Sequence, residues 1–162
     1  MSDLDERFAL ADAAHERGDF DEAFATFLAL AEDGDVNGMA RVACMYADGE
    51  GIAHSIEKSL EWDLKAAALG SGTSMFNLGI TYRNRGDARE ARRWFEKCHV
   101  AGDGDASLEL AKMYGISDLE GERIRAYLLA AEQSPRACEA SREEARKLLD
   151  DLEAGSGTAP AN

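Results

Sequence analysis

The sequence has little proline and few aromatic residues: two prolines and an aromatic fraction of 7% in 162 residues. Proline breaks helices and flanks turns, so its scarcity is compatible with a largely helical chain. Hydrophobic residues make up 45% of the sequence, and alanine recurs throughout it. A hydrophobic fraction this rich in alanine favours closely packed helices over a sheet.

Cysteine and long apolar runs are also scarce. The three cysteines, Cys44, Cys98 and Cys138, lie far apart and form no CxxC pair, so neither a disulfide framework nor a zinc site is predicted. No apolar run approaches the roughly 18 residues of a membrane span, and the N-terminus is acidic where a signal peptide is basic. We therefore expect a cytoplasmic protein with no membrane partner, no metal and no cofactor.

Positive charge is in short supply, with 18 basic and 32 acidic residues and a net charge of −14. Binding to nucleic acid is disfavoured, because a phosphate backbone needs a surplus of Lys and Arg. Residues 1–82 carry 5 basic and 16 acidic groups, whereas residues 83–97 carry 6 and 3. The overall charge favours a basic partner. The short basic stretch is interpreted as a solvated helix face, and a site for an acidic ligand is the alternative.

The pattern that recurs is a pair of helices joined by a short connection. Apolar periodicity predicts four such units, at about residues 4–34, 37–70, 73–102 and 105–134. Matching first-helix positions are separated by 32, 36 and 32 residues, and they are Ala14, Tyr46, Tyr82 and Tyr114. The closing positions are separated by 36, 32 and 32 residues, and they are Gly34, Gly70, Gly102 and Ser134. The second unit therefore carries four extra residues in its internal loop, and this loop spans Asp48 to His54.

Large and small residues alternate at matching positions, which predicts close contacts between neighbouring helices. In the first helices the large set is Leu10, Val42, Leu78 and Leu110, and the small set is Ala11, Ala43, Gly79 and Ala111. In the second helices the sets are Thr26, Trp62, Trp94 and Ala126, then Leu30, Ala66, Cys98 and Ala130. These positions are the predicted core.

A period near 34 residues built from helix pairs is typical of a solenoid. The segment MARVACMYADGEGIAHSIEKSLEWDLKAAALG resembles the Sel1-like repeat, a relative of the tetratricopeptide repeat. The residues that carry the resemblance are Ala43 and Tyr46, Gly49 and Gly51, Trp62, and Ala66-Ala67 before Gly70. The third unit keeps NLGITY and a tryptophan, while RNRGDAREA and ERGDFDEAF are more similar to tetratricopeptide connections. The resemblance covers about residues 4–134 and implies an all-α solenoid of four helix-turn-helix repeats.

A final helix is predicted over residues 135–152, with Ser134 as its cap and Pro135 in its first turn. Its apolar stripe consists of Ala137, Ala140, Ala145, Leu148, Leu149 and Leu152. A helix of this kind closes the end of a solenoid, so residues 1–153 are expected to form a single domain. The small, polar residues 154–162 are expected to be a disordered tail.

No catalytic constellation is evident. Cys98 and His99 are neighbours and so point about 100° apart on a helix, and Cys98 occupies a packing position. His15 lies near a helix end, where exposure or capping is the usual role. The acidic run Asp103, Asp105 and Glu109 opens a helix, and we interpret it as complementing the helix dipole rather than binding a cation.

The resemblance to Sel1-like repeats implies that the first helices line a concave groove that binds a protein partner. First-helix residues outside the packing sets are then the predicted contacts: Asp12, His15, Glu16, Arg41, Cys44, Asp48, Asn77, Ile80, Arg83, Asn84, Glu109 and Lys112. The resemblance further implies a non-catalytic adaptor or an immunity protein, the latter suited to a basic toxin or effector. The alternatives are a hydrolase-type enzyme with a site in the groove, and a homo-oligomeric scaffold.

Overall fold

The computed structural model describes residues 3–115 and 121–156, and all the regular secondary structure in these residues is helical. The helices are α1 (Asp3–Glu16), α2 (Phe20–Glu32), α3 (Val36–Asp48), α4 (Ile56–Ala68), α5 (Gly72–Asn84), α6 (Ala88–Val100), α7 (Gly104–Tyr114), α8 (Gly121–Gln133) and α9 (Glu139–Ser156). In chain order, helices α1 to α8 correspond to the helices of the four predicted pairs. The fold class predicted from the sequence, an all-α solenoid of helix-turn-helix repeats, is confirmed.

Short polar side chains fix where several helices begin. The Asp35 carboxylate accepts a hydrogen bond from the Gly38 amide at 2.6 Å, and the Asp103 carboxylate accepts one from the Ala106 amide at 2.9 Å. These caps satisfy amides that have no partner inside the helix. At the ends of the first three pairs, Gly34, Gly70 and Gly102 have φ values of +94°, +93° and +84°. The same left-handed turn thus ends each of these pairs.

The chain divides into two compact units, Met1–Thr81 and Tyr82–Asn162. In unit 1, α2 packs against both α1 and α3, and α3 packs against α4. Its core includes the fully buried side chains Phe27, Leu30 and Val42. The Phe8 ring meets the Phe27 ring edge-on with 5.3 Å between centroids.

In unit 2, α7 packs against α6 and α8, and α9 packs against both α8 and α7. Phe95, Leu110 and Leu128 are buried at its centre. Gly104 allows a close approach here, because a Cβ at this position would lie 2.5 Å from the Ala137 Cβ. The segment after α8 therefore packs directly on the start of α7.

Most of the predicted first-helix packing positions are buried, but Leu10 is an exception. Val42, Leu78 and Leu110 are 0% exposed, whereas Leu10 is 70% exposed. In unit 1 the third helix packs on the second helix of the pair before it, while α1 follows no helix in the described residues. The register is right, but the Leu10 position lacks the neighbour that buries its equivalents.

The register predicted for the second helix of the fourth pair is wrong by one residue. Ala126 is exposed and Ala130 half-buried, whereas Tyr127 and Ala131 are buried at 9% and 0%. One residue turns a helix by about 100°, which moves the wrong side chains into the core. The true spacing from Cys98 to its equivalent Ala131 is 33 residues.

The final helix begins at Glu139, four residues later than the predicted start at residue 135. The Ser134 hydroxyl donates to the Gly102 carbonyl at 2.9 Å and accepts from the Arg136 amide, so it is not available as a helix cap. Cys138 caps instead, its sulfur accepting from the Ser141 amide at 3.4 Å. Helix α9 continues through Ser156 into the predicted tail, and the rest of that tail, residues 157–162, lies outside the described residues.

Candidate functional site

In unit 1, the predicted contact residues on the first helices bind one another. An Arg41 guanidinium nitrogen donates to the Asp12 carboxylate, and its guanidinium carbon lies 5.2 Å from the centre of the Phe27 ring. On the next helix the Asn77 amide donates to the Cys44 sulfur at 3.6 Å. The two hydrogen bonds each join one first helix to the first helix of the following pair, and the Arg41–Phe27 contact joins α3 to α2.

Unit 2 continues the pattern with a chain of alternating charges. Arg83 donates to the Glu109 carboxylate, whose side chain is only 15% exposed. The Lys112 ammonium lies 3.6 Å from Glu109 and 2.8 Å from the Glu144 carboxylate on α9. These predicted contact residues therefore also stabilise the packing of neighbouring helices.

Three predicted contact residues remain exposed at helix ends. Glu16 is the last residue of α1, Asp48 the last of α3 and Asn84 the last of α5, and they occupy equivalent positions in the repeat. Ile80, another predicted contact residue, lies within α5 and is half-buried. Acidic residues at a helix C-terminus are unfavourable, because the dipole there is already negative. Glu16 and Asp48 are thus placed where they weaken their own helices.

The extended loop of the second pair packs on the first pair. The His15 ring nitrogen Nε2 lies 2.6 Å from the Glu50 carboxylate, and Ile52 packs against the core of unit 1. Gly51 has φ of +68°, and a Cβ on it would lie 2.2 Å from the Phe20 carbonyl oxygen. His15, a predicted contact residue, is therefore used inside unit 1.

An open acidic depression lies where this loop meets the start of α2. It is lined by Gly18, Asp19, Phe20, Asp21, Glu22 and Gly51. Its three carboxylates lie in the first helical connection and at the start of α2, at positions that were not among the predicted contacts. The depression adds three acidic side chains to the surface of unit 1.

A buried carboxyl group at Asp63 was missed by the sequence analysis. Asp63 is 2% exposed, and its Oδ1 atom has no hydrogen-bond partner in the described part of the chain. Burial raises the pKa of Asp63 to about 7, and the polar side chains of Ser74 and Asn77 oppose this only in part. The repeat pattern indicates that this position is buried, because the equivalent residues of the other pairs are apolar: Phe27, Phe95 and Leu128.

The basic stretch is largely held against its own helix and neighbouring rings. Arg93 lies 3.3 Å from the Glu90 carboxylate, and Lys97 lies 3.8 Å from the Trp94 ring centre. The Arg92 guanidinium lies 5.6 Å from the Tyr114 ring centre. These contacts favour a structural role for the stretch over a site for an acidic ligand.

Two segments match the tetratricopeptide repeat family, residues 72–100 and residues 7–29. Two solved structures are similar over nearly the whole chain. A Sel1 repeat protein from Oxalobacter formigenes has a TM-score of 0.80 and 20% identity over 95% of this chain. A protective antigen present in uropathogenic Escherichia coli strains, displaying an SLR fold, has a TM-score of 0.80 and 23% identity over 98% of this chain.

The chain has the fold of a Sel1-like, tetratricopeptide-like repeat protein. It spans 65% of the Oxalobacter formigenes chain and 35% of the Escherichia coli chain. A comparison with curated proteins gives no match. Sel1-like repeats of this kind are typical of modules that bind other proteins, and they generally serve as non-catalytic scaffolds.

One serine and one histidine of unit 2 lie together, but not in a catalytic arrangement. The His99 nitrogen Nδ1 lies 2.8 Å from the Ser107 hydroxyl, which itself donates to the Asp103 carbonyl at 2.8 Å. Since the hydroxyl proton is already used, His99 must donate to Ser107 and cannot accept its proton. The pair fixes helix α6 to the start of α7.

Cys98 also has the properties of a packing residue. It is 1% exposed, and burial, with a smaller contribution from Asp103, raises the pKa of its thiol to about 12. A thiol with so high a pKa is a poor nucleophile near neutral pH. Across residues 3–115 and 121–156, no group of three or more His, Cys, Asp or Glu side chains could hold a metal ion. No helix within these ranges is long and apolar enough to cross a membrane.

Proposed function

We propose that the chain is a non-catalytic protein-binding module, an adaptor or an immunity protein, that binds a basic protein through the first helices of unit 1. The observation that carries this proposal is the charge of unit 1, which has 5 basic and 16 acidic residues. All five basic side chains already have contacts within the unit. Arg7 pairs with Asp33, Arg17 with Asp19 and Arg41 with Asp12, while Lys58 lies over Tyr46 and Lys65 over Trp62.

The acidic surplus of unit 1 is therefore uncompensated at its surface. Glu16 and Asp48 place part of it at equivalent first-helix ends, where a cation from a partner would relieve the unfavourable interaction with the helix dipole. The acidic depression beside Phe20 adds further negative charge. A surface of this kind speeds the association of a basic partner through electrostatic steering.

The remaining predicted contacts contribute shape rather than net charge. Arg41 and Asp12 neutralise each other, and Cys44 and Asn77 present a half-buried sulfur and amide beside them. Shape and paired polar groups select among basic partners once steering has brought them close. An immunity role toward a basic toxin and an adaptor role in the cytoplasm use the same surface, and the identity of the partner distinguishes them.

The proposal is tested by affinity capture from the native organism with three immobilised proteins. They are the wild type, a Glu16→Lys/Asp48→Lys variant, and a matched Glu32→Lys/Glu61→Lys variant that makes the same charge change at exposed second-helix positions. We expect a protein retained by the wild type and by the matched variant at low salt, and lost from the first-helix variant.

Two outcomes contradict the proposal. Equal retention of the same protein by both charge variants would exclude the first-helix ends as the binding surface. Retention that does not weaken between low-salt and high-salt washes would contradict binding by charge, because interactions between exposed charges are screened by salt.

A further inference from the structure

Asp63 occupies a position that is shaped for an apolar side chain. The equivalent residues in the other three pairs, Phe27, Phe95 and Leu128, are 0%, 0% and 1% exposed. Asp63 is buried to the same degree, at 2% exposure, on the face of α4 that packs into unit 1. An ionised carboxylate in such a position loses its hydration without gaining a partner of opposite charge.

The groups around Asp63 supply polarity but no positive charge. Helix α5 contributes Ser74 and Asn77, and α3 contributes the Cys44 thiol, whose own pKa is raised by burial and by Asp63. On α4 the buried residues one turn away are Ser59, Leu60, Ala66 and Ala67. Hydrogen bonding from Ser74 and Asn77 lowers the pKa of Asp63 but does not offset its burial, and Asp63 Oδ1 and Ser74 Oγ each lack a partner at ordinary hydrogen-bond distance and angle in residues 3–115 and 121–156.

The charged residues of α3 do not compensate Asp63. Arg41 is paired with Asp12 on the side facing α1, and Asp48 is exposed at the helix end. Both act on the Cys44 thiol, Arg41 lowering its pKa and Asp48 raising it, and neither contributes to the shift at Asp63. The causes of the raised pKa of Asp63 are its burial and the opposing hydrogen bonds from Ser74 and Asn77, and no charged side chain is among them.

We propose that Asp63 is a proton-binding site through which the stability of unit 1 responds to pH near neutrality. The neutral acid is compatible with the buried position, and ionisation makes the same position unfavourable. The raised pKa of Asp63, about 7 against 3.8 for an ordinary aspartate, agrees in direction with this geometry. Because the folded pKa lies above the unfolded one, the stabilisation is complete below about pH 4 and is lost as the pH rises through about 7.

The test is urea unfolding of the wild type, Asp63→Asn and Glu61→Gln between about pH 5 and pH 8. Glu61 is exposed on the same helix, and Glu61→Gln removes one negative charge just as Asp63→Asn does. This variant therefore reports how stability changes with pH because of the overall negative charge alone. In the wild type and in Glu61→Gln we expect the unfolding constant to rise with pH by up to about tenfold per unit below pH 7. In Asp63→Asn this component should be absent.

A second measurement follows the Asp63 carboxyl carbon directly by NMR in the folded wild type, which needs no variant that might fail to fold. A titration midpoint near neutrality supports the proposal. A midpoint near 4 overturns it, as does an Asp63→Asn variant whose stability changes with pH as steeply as that of Glu61→Gln.

Discussion

One buried repeat position holds a carboxyl group in the second pair and an apolar side chain in the other three. Phe27, Phe95 and Leu128 fill that position with apolar volume, whereas Asp63 brings a carboxyl group and a smaller side chain. Above pH 7 the carboxylate is ionised in a buried place with no countercharge. A polar residue at such a site costs stability that an apolar residue of suitable size recovers.

Asp63→Leu is therefore expected to stabilise unit 1 at pH 8 by about 2 kcal/mol, and by less at pH 5, where the acid is already neutral. Leu is the residue that stands at the equivalent position 128. The reciprocal change, Leu128→Asp, should destabilise unit 2 by about 3 kcal/mol, because it buries a charge where a large apolar side chain was removed. Urea unfolding at the two pH values measures both effects, and a loss of stability in Asp63→Leu at pH 8 would contradict the account.

A second residue-scale prediction concerns His99, which the structure shows as a donor to Ser107 and not as a base. His99→Ala leaves the buried Ser107 hydroxyl without this donor and should lower the free energy of unfolding by about 1 kcal/mol. His54, which is exposed in the extended loop, offers the control His54→Ala with almost no change. Equal stability of the two variants would show that the His99 hydrogen bond does not stabilise unit 2.

At the scale of elements, the extended loop of the second pair is part of the packing of unit 1. Ile52 lies against the core, Glu50 contacts His15, and Gly51 approaches the Phe20 carbonyl too closely for any side chain. The four residues that lengthen this loop relative to the other pairs therefore serve the packing of the second pair on the first. Removing the loop should therefore destabilise unit 1 rather than leave it unchanged.

A pair of glycine substitutions separates loop packing from backbone strain. Gly51→Ala meets the Phe20 carbonyl at 2.2 Å and also has a positive φ, whereas Gly18→Ala has a positive φ and no atom within 4 Å. Gly18→Ala should cost about 1 kcal/mol from strain alone, and Gly51→Ala at least about 2 kcal/mol. Thermal or urea unfolding measures the difference, and equal costs would mean that the loop moves away from α2 without penalty.

The helices and their order could be predicted from the sequence, because apolar periodicity and glycine spacing are local signals. The register of α8 could not, since one added residue between Ala111 and Ile124 is invisible to the apolar pattern yet rotates the helix. The start of α9 was missed because the Ser134 hydroxyl bonds to Gly102, a contact 32 residues away in the chain. The pairing of Arg41 with Asp12 likewise depends on how α1 and α3 lie side by side.

At the scale of the whole molecule, charge is distributed unequally between the two units. Unit 1 carries 5 basic and 16 acidic residues, and unit 2 carries 13 and 16. Since every cation of unit 1 is engaged internally, we expect the affinity for the natural partner to fall steeply with salt. Between about 50 and 300 mM salt the association rate should fall at least tenfold, with a smaller change in dissociation, as surface plasmon resonance would show. A rate that does not change with salt would exclude electrostatic steering.

The most direct test of the central claim, that the first helices bind the partner, is site-specific photocrosslinking. A photoreactive amino acid is placed singly at Glu16, Asp48 and Asn84 on first helices, and at Glu32 and Glu61 on second helices, all of which are exposed. The crosslinked products formed with the captured partner are then compared by mass. The account predicts an adduct with the partner from Glu16 or Asp48 and none from Glu32 or Glu61. Adducts from the second-helix positions alone would contradict it.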